Sequence, residues 1–195
     1  MKIIESQLRQ IIREELLQEA AMAPDSAKHM GIRFEVERSA RRIVINAYMG
    51  RIPWKPAGSK VTGSKKVGSL LSVESDEPCS DAWAINHANV DINGLGPLLY
   101  DLMIDLVNPH PLMPDRSSVS LDAKPVWDYY MRRYDIEPIQ LDDSCWQGSA
   151  MIWAKKEFGD ADRWPESSLS KAYKRADGGT PTLDELQELG LVTFI

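Results

Sequence analysis

The sequence predicts an α+β fold: a mixed, mainly antiparallel sheet flanked by helices. Three strand-like segments come first, followed by a fourth strand, a glycine turn and an amphipathic helix. The chain has 195 residues, 43% of them apolar, which is sufficient for one domain with additions. We divide it into an N-terminal amphipathic helix and linker (1–29), an α+β domain (30–142) and a helical C-terminal extension (143–195) packed on that domain.

The N-terminal segment predicts the clearest isolated helix. Residues 3–21 carry one apolar stripe, which contains Ile4, Leu8, Ile11, Ile12 and Leu16. Residues 22–29 read as a linker because Pro24, Asp25 and Ser26 follow one another. The helix either packs on its own domain or docks a protein partner or a second copy of the chain. Its polar face mixes acids with bases, which argues against membrane attachment.

Four segments have the composition of strands: Ile32–Glu37, Arg42–Met49, Val67–Glu74 and Ala82–Val90. The loop between the second and third carries lysines around Trp54. These are Lys55, Lys60, Lys65 and Lys66. They either contact phosphates or form a solvated loop.

The fourth strand leads into the stretch from which we infer a ligand site. A turn containing Gly94 and Gly96 precedes Pro97, and an apolar helical face follows. Main-chain N–H groups at a helix N-terminus attract anions, and glycines let a phosphate approach the backbone. The same glycines are also common where a chain simply turns.

The rest of the chain predicts shorter elements. A second helix is expected around Trp127 and Tyr130, with Ser120 or Asp122 as its cap and Pro125 in its first turn. A strand is expected at Ile136–Leu141. Helices are expected at Met151–Phe158, Leu169–Lys174 and Leu183–Leu189, the last with Thr182 as its N-cap.

Composition narrows the functional classes. The formal net charge of −6 argues against a general nucleic-acid binder. Cys79 and Cys145 have neither disulfide-framework nor metal-ligand spacing, which favours a reducing cytoplasm. No apolar run is long enough to cross a membrane. Asp142–Asp143 and Asp76–Glu77 would bind a divalent ion only if folding joined them, so we expect no metal.

The order of strands, Gly94-x-Gly96 turn, helix, extended segment and second helix resembles the GNAT acyltransferase superfamily over residues 32–141. The helix opening, GLGPLLYDLMIDL, is similar to that family's, and LMPDRSSVSLDAKPVWDYYMRR resembles uncharacterised bacteriophage proteins of this broad fold. The resemblance implies that backbone N–H groups at the turn hold the pyrophosphate of acetyl-CoA. Three features depart from the family: Asp91 replaces a Gln or Arg, Trp127 replaces a tyrosine acid, and the fourth strand has no glutamate to act as base.

Acetyl transfer to an amine requires a base, backbone donors for the thioester and phosphates, and an acid for the thiolate. We assign the base to His87 and the acid to Tyr130, although a structural histidine and a core tyrosine are the alternatives. The candidate donors are the N–H groups of Val90, Gly94, Gly96 and Leu98. Asp115 and Arg116 either shape an acceptor site or pair with each other.

The expected function is therefore acetyl-CoA-dependent N-acetyl transfer, by direct attack, to a small-molecule or protein amine. The alternative, favoured by Asp91 and Trp127, is a non-catalytic GNAT-like phage structural or host-interaction module that docks through residues 3–21. We expect the protein in the cytoplasm, or in the host cytoplasm or virion if a phage encodes it.

Overall fold

The computed structural model describes residues 21–50, 64–75, 81–115, 123–141, 155–156 and 159–195. Several predictions fall outside these residues. They are the helix over 3–20, Trp54 with Lys55 and Lys60, Arg116, the two cysteines, the Asp142–Asp143 and Asp76–Glu77 pairs, and all but two residues of the helix at 151–158.

The described residues form four α-helices and eight strands. The helices are α1 (Pro24–His29), α2 (Leu95–Val107), α3 (Lys124–Tyr130) and α4 (Pro181–Glu188). The strands are β1 (Ile32–Ser39), β2 (Arg42–Met49), β3 (Lys65–Glu74), β4 (Trp83–Val90), β5 (Leu112–Met113), β6 (Ile136–Gln140), β7 (Lys171–Arg175) and β8 (Val192–Phe194). Two 3₁₀ turns, Ala161–Glu166 and Ser168–Ser170, precede β7.

All eight strands belong to one sheet, in the order β6-β7-β5-β4-β3-β2-β1-β8. The pairs β4–β5 and β1–β8 are parallel, and the other five neighbouring pairs are antiparallel. The predicted α+β class with a mixed, mainly antiparallel sheet is confirmed.

The first four strands and the helix after them lie where the sequence predicts. Alternation along β1 buries Ile32, Phe34 and Val36 and leaves the residues between them more exposed. α1 contacts β1, while α2 contacts β3, β4, β5 and β7. The core therefore lies between these helices and one face of the sheet, and we call the opposite side the outer face.

Three local predictions are wrong. Residues 22–29 are not only a linker, because Pro24 begins α1; proline favours a first helical turn as well as a loop. Residues 169–174 are not a helix, because the chain passes from a 3₁₀ turn into β7. α4 begins at Pro181 with Thr180 at its N-cap, not at Thr182.

The C-terminal extension is therefore not purely helical. β7 lies between β5 and β6, and β8 joins β1 at the opposite edge of the sheet. The partners of β7 are 31 residues or more away along the chain, so local periodicity does not reveal them. The segment after the second predicted helix completes the same sheet as the first four strands.

A buried ion network fixes β7 against α2. Arg175 Nε donates to Asp105 Oδ1 at 2.6 Å, and the exposed fractions of these two side chains are 2% and 0%. The other oxygen, Asp105 Oδ2, accepts from the N–H groups of Thr182 and Leu183 at 2.7 and 2.9 Å. One carboxylate therefore both neutralises Arg175 and caps the N-terminus of α4.

The same network extends to the segment after α3. Arg175 Nη1 donates to Asp135 at 2.8 Å, and Arg133 bonds both to Asp135 and to Asp101 of α2. Burial alone would raise the pKa of Asp135, but the hydrogen bond and charge of Arg133, together with the charge of Arg175, outweigh burial and lower it below 3.8.

Asp105→Asn tests the centre of the network. Removing this buried negative charge leaves the positive charge of Arg175 without its closest counter-charge and weakens the α4 cap. The free energy of unfolding should therefore fall by about 3 kcal/mol. Urea denaturation followed by tryptophan fluorescence measures it. Glu137→Gln is the control, because its ion pair with Lys174 is largely exposed and its loss should change stability by less than about 1 kcal/mol. Equal effects of the two substitutions would contradict the central role of Asp105.

Asp135→Asn should destabilise the protein at pH 7 but not in acid. Because folding lowers the pKa of Asp135, its carboxylate contributes stability above its unfolded pKa, near 3.8, and loses that contribution as pH falls through the folded value. The difference in Tm between wild type and variant should therefore shrink as pH falls below about 4. A difference independent of pH would show that Asp135 contributes packing rather than charge.

Candidate functional site

The candidate site lies along the second half of β4. β4 pairs with β3 over its length, but with β5 only at Trp83 and Ala84. On β3, Leu71 pairs with His87 whereas Ser72 pairs with Ile85, so Asn86 is an additional, bulged residue. A bulge bends and twists its strand, which is consistent with the separation of β4 from β5 beyond this point.

Beyond the bulge, no described residue pairs with β4 on its β5 side, and the residues of β4 there are exposed. Asn86, His87, Ala88 and Asn89 are all exposed, although β4 is the fourth strand in from one edge of the sheet. The N–H of Asp91 donates to Val67 O on the β3 side at 2.8 Å. Antiparallel alternation then directs the N–H groups of Val90 and Ala88 away from β3, toward the unpaired edge. The predicted donor Val90 is thus well placed, and Ala88 joins it.

The glycine turn follows directly. Gly94 is the N-cap of α2 and has φ of +80°, a conformation that glycine adopts without strain. An ideal Cβ built on Gly96 would meet nothing within 4 Å, so the backbone there faces open space. The N–H of Gly96 lies in the first helical turn, where no intrahelical acceptor exists.

Two groups at the turn are less available to a ligand. The N–H of Leu95 donates to Ile92 O at 3.3 Å, and Gly94 O accepts from the N–H of Met22 at 2.9 Å. Leu98 is the fourth residue after the N-cap, so its N–H bonds within a regular helix, and its side chain is buried. Leu98 is therefore removed from the candidate donors.

A lysine lies beside the acid at the turn. Lys65 Nζ is 3.5 Å from Asp91 Oδ2, and both side chains are largely exposed. Lys66 is also exposed at the start of β3. The negative charge of Asp91 is thus compensated locally, which reduces the repulsion that it would exert on a phosphate.

The other predicted site residues are distributed unevenly. His87 is exposed at the bulge, opposite Leu71 of β3. Asp115 is partly buried and lies two residues beyond the end of β5, which is the strand next to β4. The structure thus brings His87 and Val90 onto one strand and Gly94 and Gly96 onto the adjoining turn.

Tyr130 is a core residue in this structure, which contradicts its assignment as the acid. Its side chain is fully buried, and its hydroxyl lies 3.0 Å from Asp101 Oδ1 and 3.2 Å from Pro97 O. Burial, then the charge of Asp101, raises the pKa of Tyr130 well above 10. Its ring packs against the rings of Tyr100, Trp127 and Tyr173. A hydroxyl held in this way does not reach a thiolate at the open edge of β4.

Sequence analysis missed the bulge at Asn86 and the ion pair between Lys65 and Asp91. A signal for the bulge was present, because three of the four residues 86–89 are polar in a strand that begins with apolar residues. The ion pair had no such signal, since its partners are 26 positions apart and meet only through strand pairing.

Comparison of this chain with protein-family models, with curated proteins and with solved structures finds no match. Within the described ranges, no helix is long and apolar enough to span a membrane. The argument for function therefore depends on the geometry of β4 and of the turn before α2.

Tyr130→Phe distinguishes a structural role of the Tyr130 hydroxyl from a role as the catalytic acid. Loss of the hydroxyl should lower the free energy of unfolding by about 1 kcal/mol, because a buried hydrogen bond to Asp101 disappears. Any rate of CoA release from acetyl-CoA with an acceptor amine should stay within about twofold of wild type, because a fully buried hydroxyl is not placed to protonate a thiolate at β4. A hundredfold lower rate with unchanged stability would restore Tyr130 as the acid.

Proposed function

We propose that this protein is a GNAT-like N-acetyltransferase that uses acetyl-CoA. One observation carries the proposal: the bulged, solvent-exposed half of β4 is not paired by β5 and leads into a turn at the N-terminus of α2 in which Gly94 and Gly96 have no side chain. The turn is suited to an anion, and the strand edge is suited to an extended chain that contains amides. Acyl-CoA has both features in one molecule.

The phosphates would lie at the turn. The N–H of Gly96 and the positive end of α2 attract them, and Lys65 and Lys66 supply charge nearby. The amide-containing arm would lie along β4, where the N–H groups of Val90 and Ala88 face the unpaired edge. This order places the thioester beside the bulge and His87.

The reaction follows from these positions. His87 takes a proton from the substrate ammonium, and the amine nitrogen then attacks the thioester carbonyl. The N–H of Ala88 is the nearest outward-facing main-chain donor to the bulge for the oxyanion that forms. The nitrogen of this intermediate releases its second proton to solvent, and collapse then forms the amide and breaks the C–S bond, with the thiolate taking its proton from solvent. No covalent bond to the protein forms.

The buried Tyr130 hydroxyl favours a second candidate, a non-catalytic module of the same fold. Such a module would retain the open strand edge but use it, or the predicted helix over residues 3–21, to contact a phage or host protein. Both candidates are consistent with the cytoplasmic location that we propose.

Acetyl-CoA binding distinguishes the two functions. At 100 times its dissociation constant, acetyl-CoA should stabilise the wild-type protein by about 2.7 kcal/mol, which is several degrees of Tm. Gly96→Val should abolish the shift yet leave the fold intact, because its Cβ meets no protein atom but lies where a phosphate would approach. Differential scanning fluorimetry measures both.

Lys65→Gln should weaken acetyl-CoA binding, whereas Lys174→Gln, which removes the same charge from β7, should not. Absence of a shift at millimolar acetyl-CoA in the wild-type protein would favour the non-catalytic module. An unchanged shift in Gly96→Val would remove the turn from the site.

A further inference from the structure

A line of apolar side chains crosses the outer face of the sheet. Val44 of β2 pairs with Leu71 of β3. Val73, two residues further along β3 on the same face, pairs with Ala84 of β4, which also pairs with Met113 of β5. We call these five residues the apolar strip. It extends over four interior strands of the sheet, because β6 and β7 lie beyond β5, and β1 and β8 lie beyond β2.

Most of the apolar strip is partly exposed. Its members on β2, β3 and β4 are half-buried, whereas Ile45, Leu70 and Ile85 on the same strands are buried in the core. Each described helix packs on the core face: α1 and α2 contact the strands there, Trp127 of α3 packs against Tyr173, and α4 contacts α2. Among the described residues, no helix therefore covers the strip. A contiguous apolar patch of this kind marks a docking surface.

The described chain begins close to one end of the apolar strip. The N–H of Met22 donates to Gly94 O at 2.9 Å, at the turn that follows β4. Leu71 pairs with β4 three residues before that strand ends, which is about 10 Å along the strand. Residues 17–21 cover up to about 17 Å when extended. The predicted apolar stripe, which ends at Leu16, can therefore reach Leu71 around the end of β4.

The N-terminal segment matches the apolar strip in length and in charge. A helix from Ile4 to Leu16 rises about 18 Å, and the strip spans about 14 Å from β2 to β5. The half of the segment nearest the described chain carries Glu14 and Glu15. Lys66 is exposed at the start of β3, toward the same end of the sheet. Opposite charges therefore lie at the end where the segment would enter the outer face.

We propose that residues 4–16 form an amphipathic helix that docks its apolar stripe on the apolar strip of the same chain. Leu8 and Ile11 would cover Val44 and Leu71, and all four side chains would leave water. The short connection favours the same chain over a second copy, because it holds the helix at a high effective concentration. The inference does not depend on acetyl transfer, and it assigns the predicted helix to the protein's own sheet rather than to an external partner.

Thiol labelling of the full-length protein tests the docking. Leu71→Cys is made in a background that carries Cys79→Ser and Cys145→Ser, and its rate of reaction with a maleimide is measured. Adding Leu8→Glu places a charge in the middle of the predicted stripe. It should raise the labelling rate at least tenfold, because the strip becomes accessible. Val44→Cys should respond in the same way from β2.

Two matched controls separate local docking from general effects. Gln10→Glu adds the same charge on the opposite side of the predicted helix, so it should change the rate at Leu71→Cys by less than twofold. Ala47→Cys lies on the core face of β2, where its side chain is fully buried, and should stay unreactive with Leu8→Glu. Reaction at Ala47→Cys in the presence of Leu8→Glu would overturn docking as a local event, because Leu8 would then support the core itself.

The mass of the protein in solution identifies what covers the strip. Analytical ultracentrifugation should give the same molecular mass with and without Leu8→Glu. An unchanged labelling rate at Leu71→Cys after Leu8→Glu would overturn the proposal, since residues 4–16 would not cover the strip. A dimer that Leu8→Glu dissociates would also overturn it, since a second copy would then occupy the strip.

Discussion

The ion network around Arg175 is the interaction on which the rest of this structure depends. Arg175 on β7 connects Asp105 of α2 with Asp135 before β6, and Asp105 also caps α4. Buried ion pairs contribute less to net stability than to the choice of one arrangement, because breaking one leaves an uncompensated charge. Here the arrangement that is chosen holds β7 and the N-terminus of α4 against α2.

The position of α2 in turn determines the candidate site. Leu95 and Leu99 of α2 approach the backbone of Gly68, where a Cβ would lie 3.2 Å from each of them. This close packing places the first turn of α2 beside the end of β4. The bulge at Asn86 then turns the strand edge away from β5. The glycine turn and the part of β4 that β5 does not pair become neighbours through this packing.

The outer face of the sheet differs from the core face in the side chains that it carries. The core face is filled by apolar side chains, whereas the outer face has a buried amide oxygen, Asn46 Oδ1, that makes no hydrogen bond. Residues that reduce stability without an evident structural gain are expected at functional sites. The aromatic cluster in the core is the opposite case. It consists of Tyr100, Trp127, Tyr130 and Tyr173, whose rings pack together. The hydroxyls of Tyr130 and Tyr173 are hydrogen-bonded inside the protein.

The sequence by itself determined the first four strands, the glycine turn and the apolar face of α2, because alternation, helical periodicity and the special backbone of glycine are local properties. It did not distinguish a core tyrosine from a catalytic one, nor a helix from a strand at residues 171–175. Only the tertiary structure decided these, since burial of Tyr130 requires α2 and α3 to meet, and β7 requires partners 31 residues or more away. The bulge likewise exists only once β3 and β4 are in register, because it is defined by the pairing of one strand with the other.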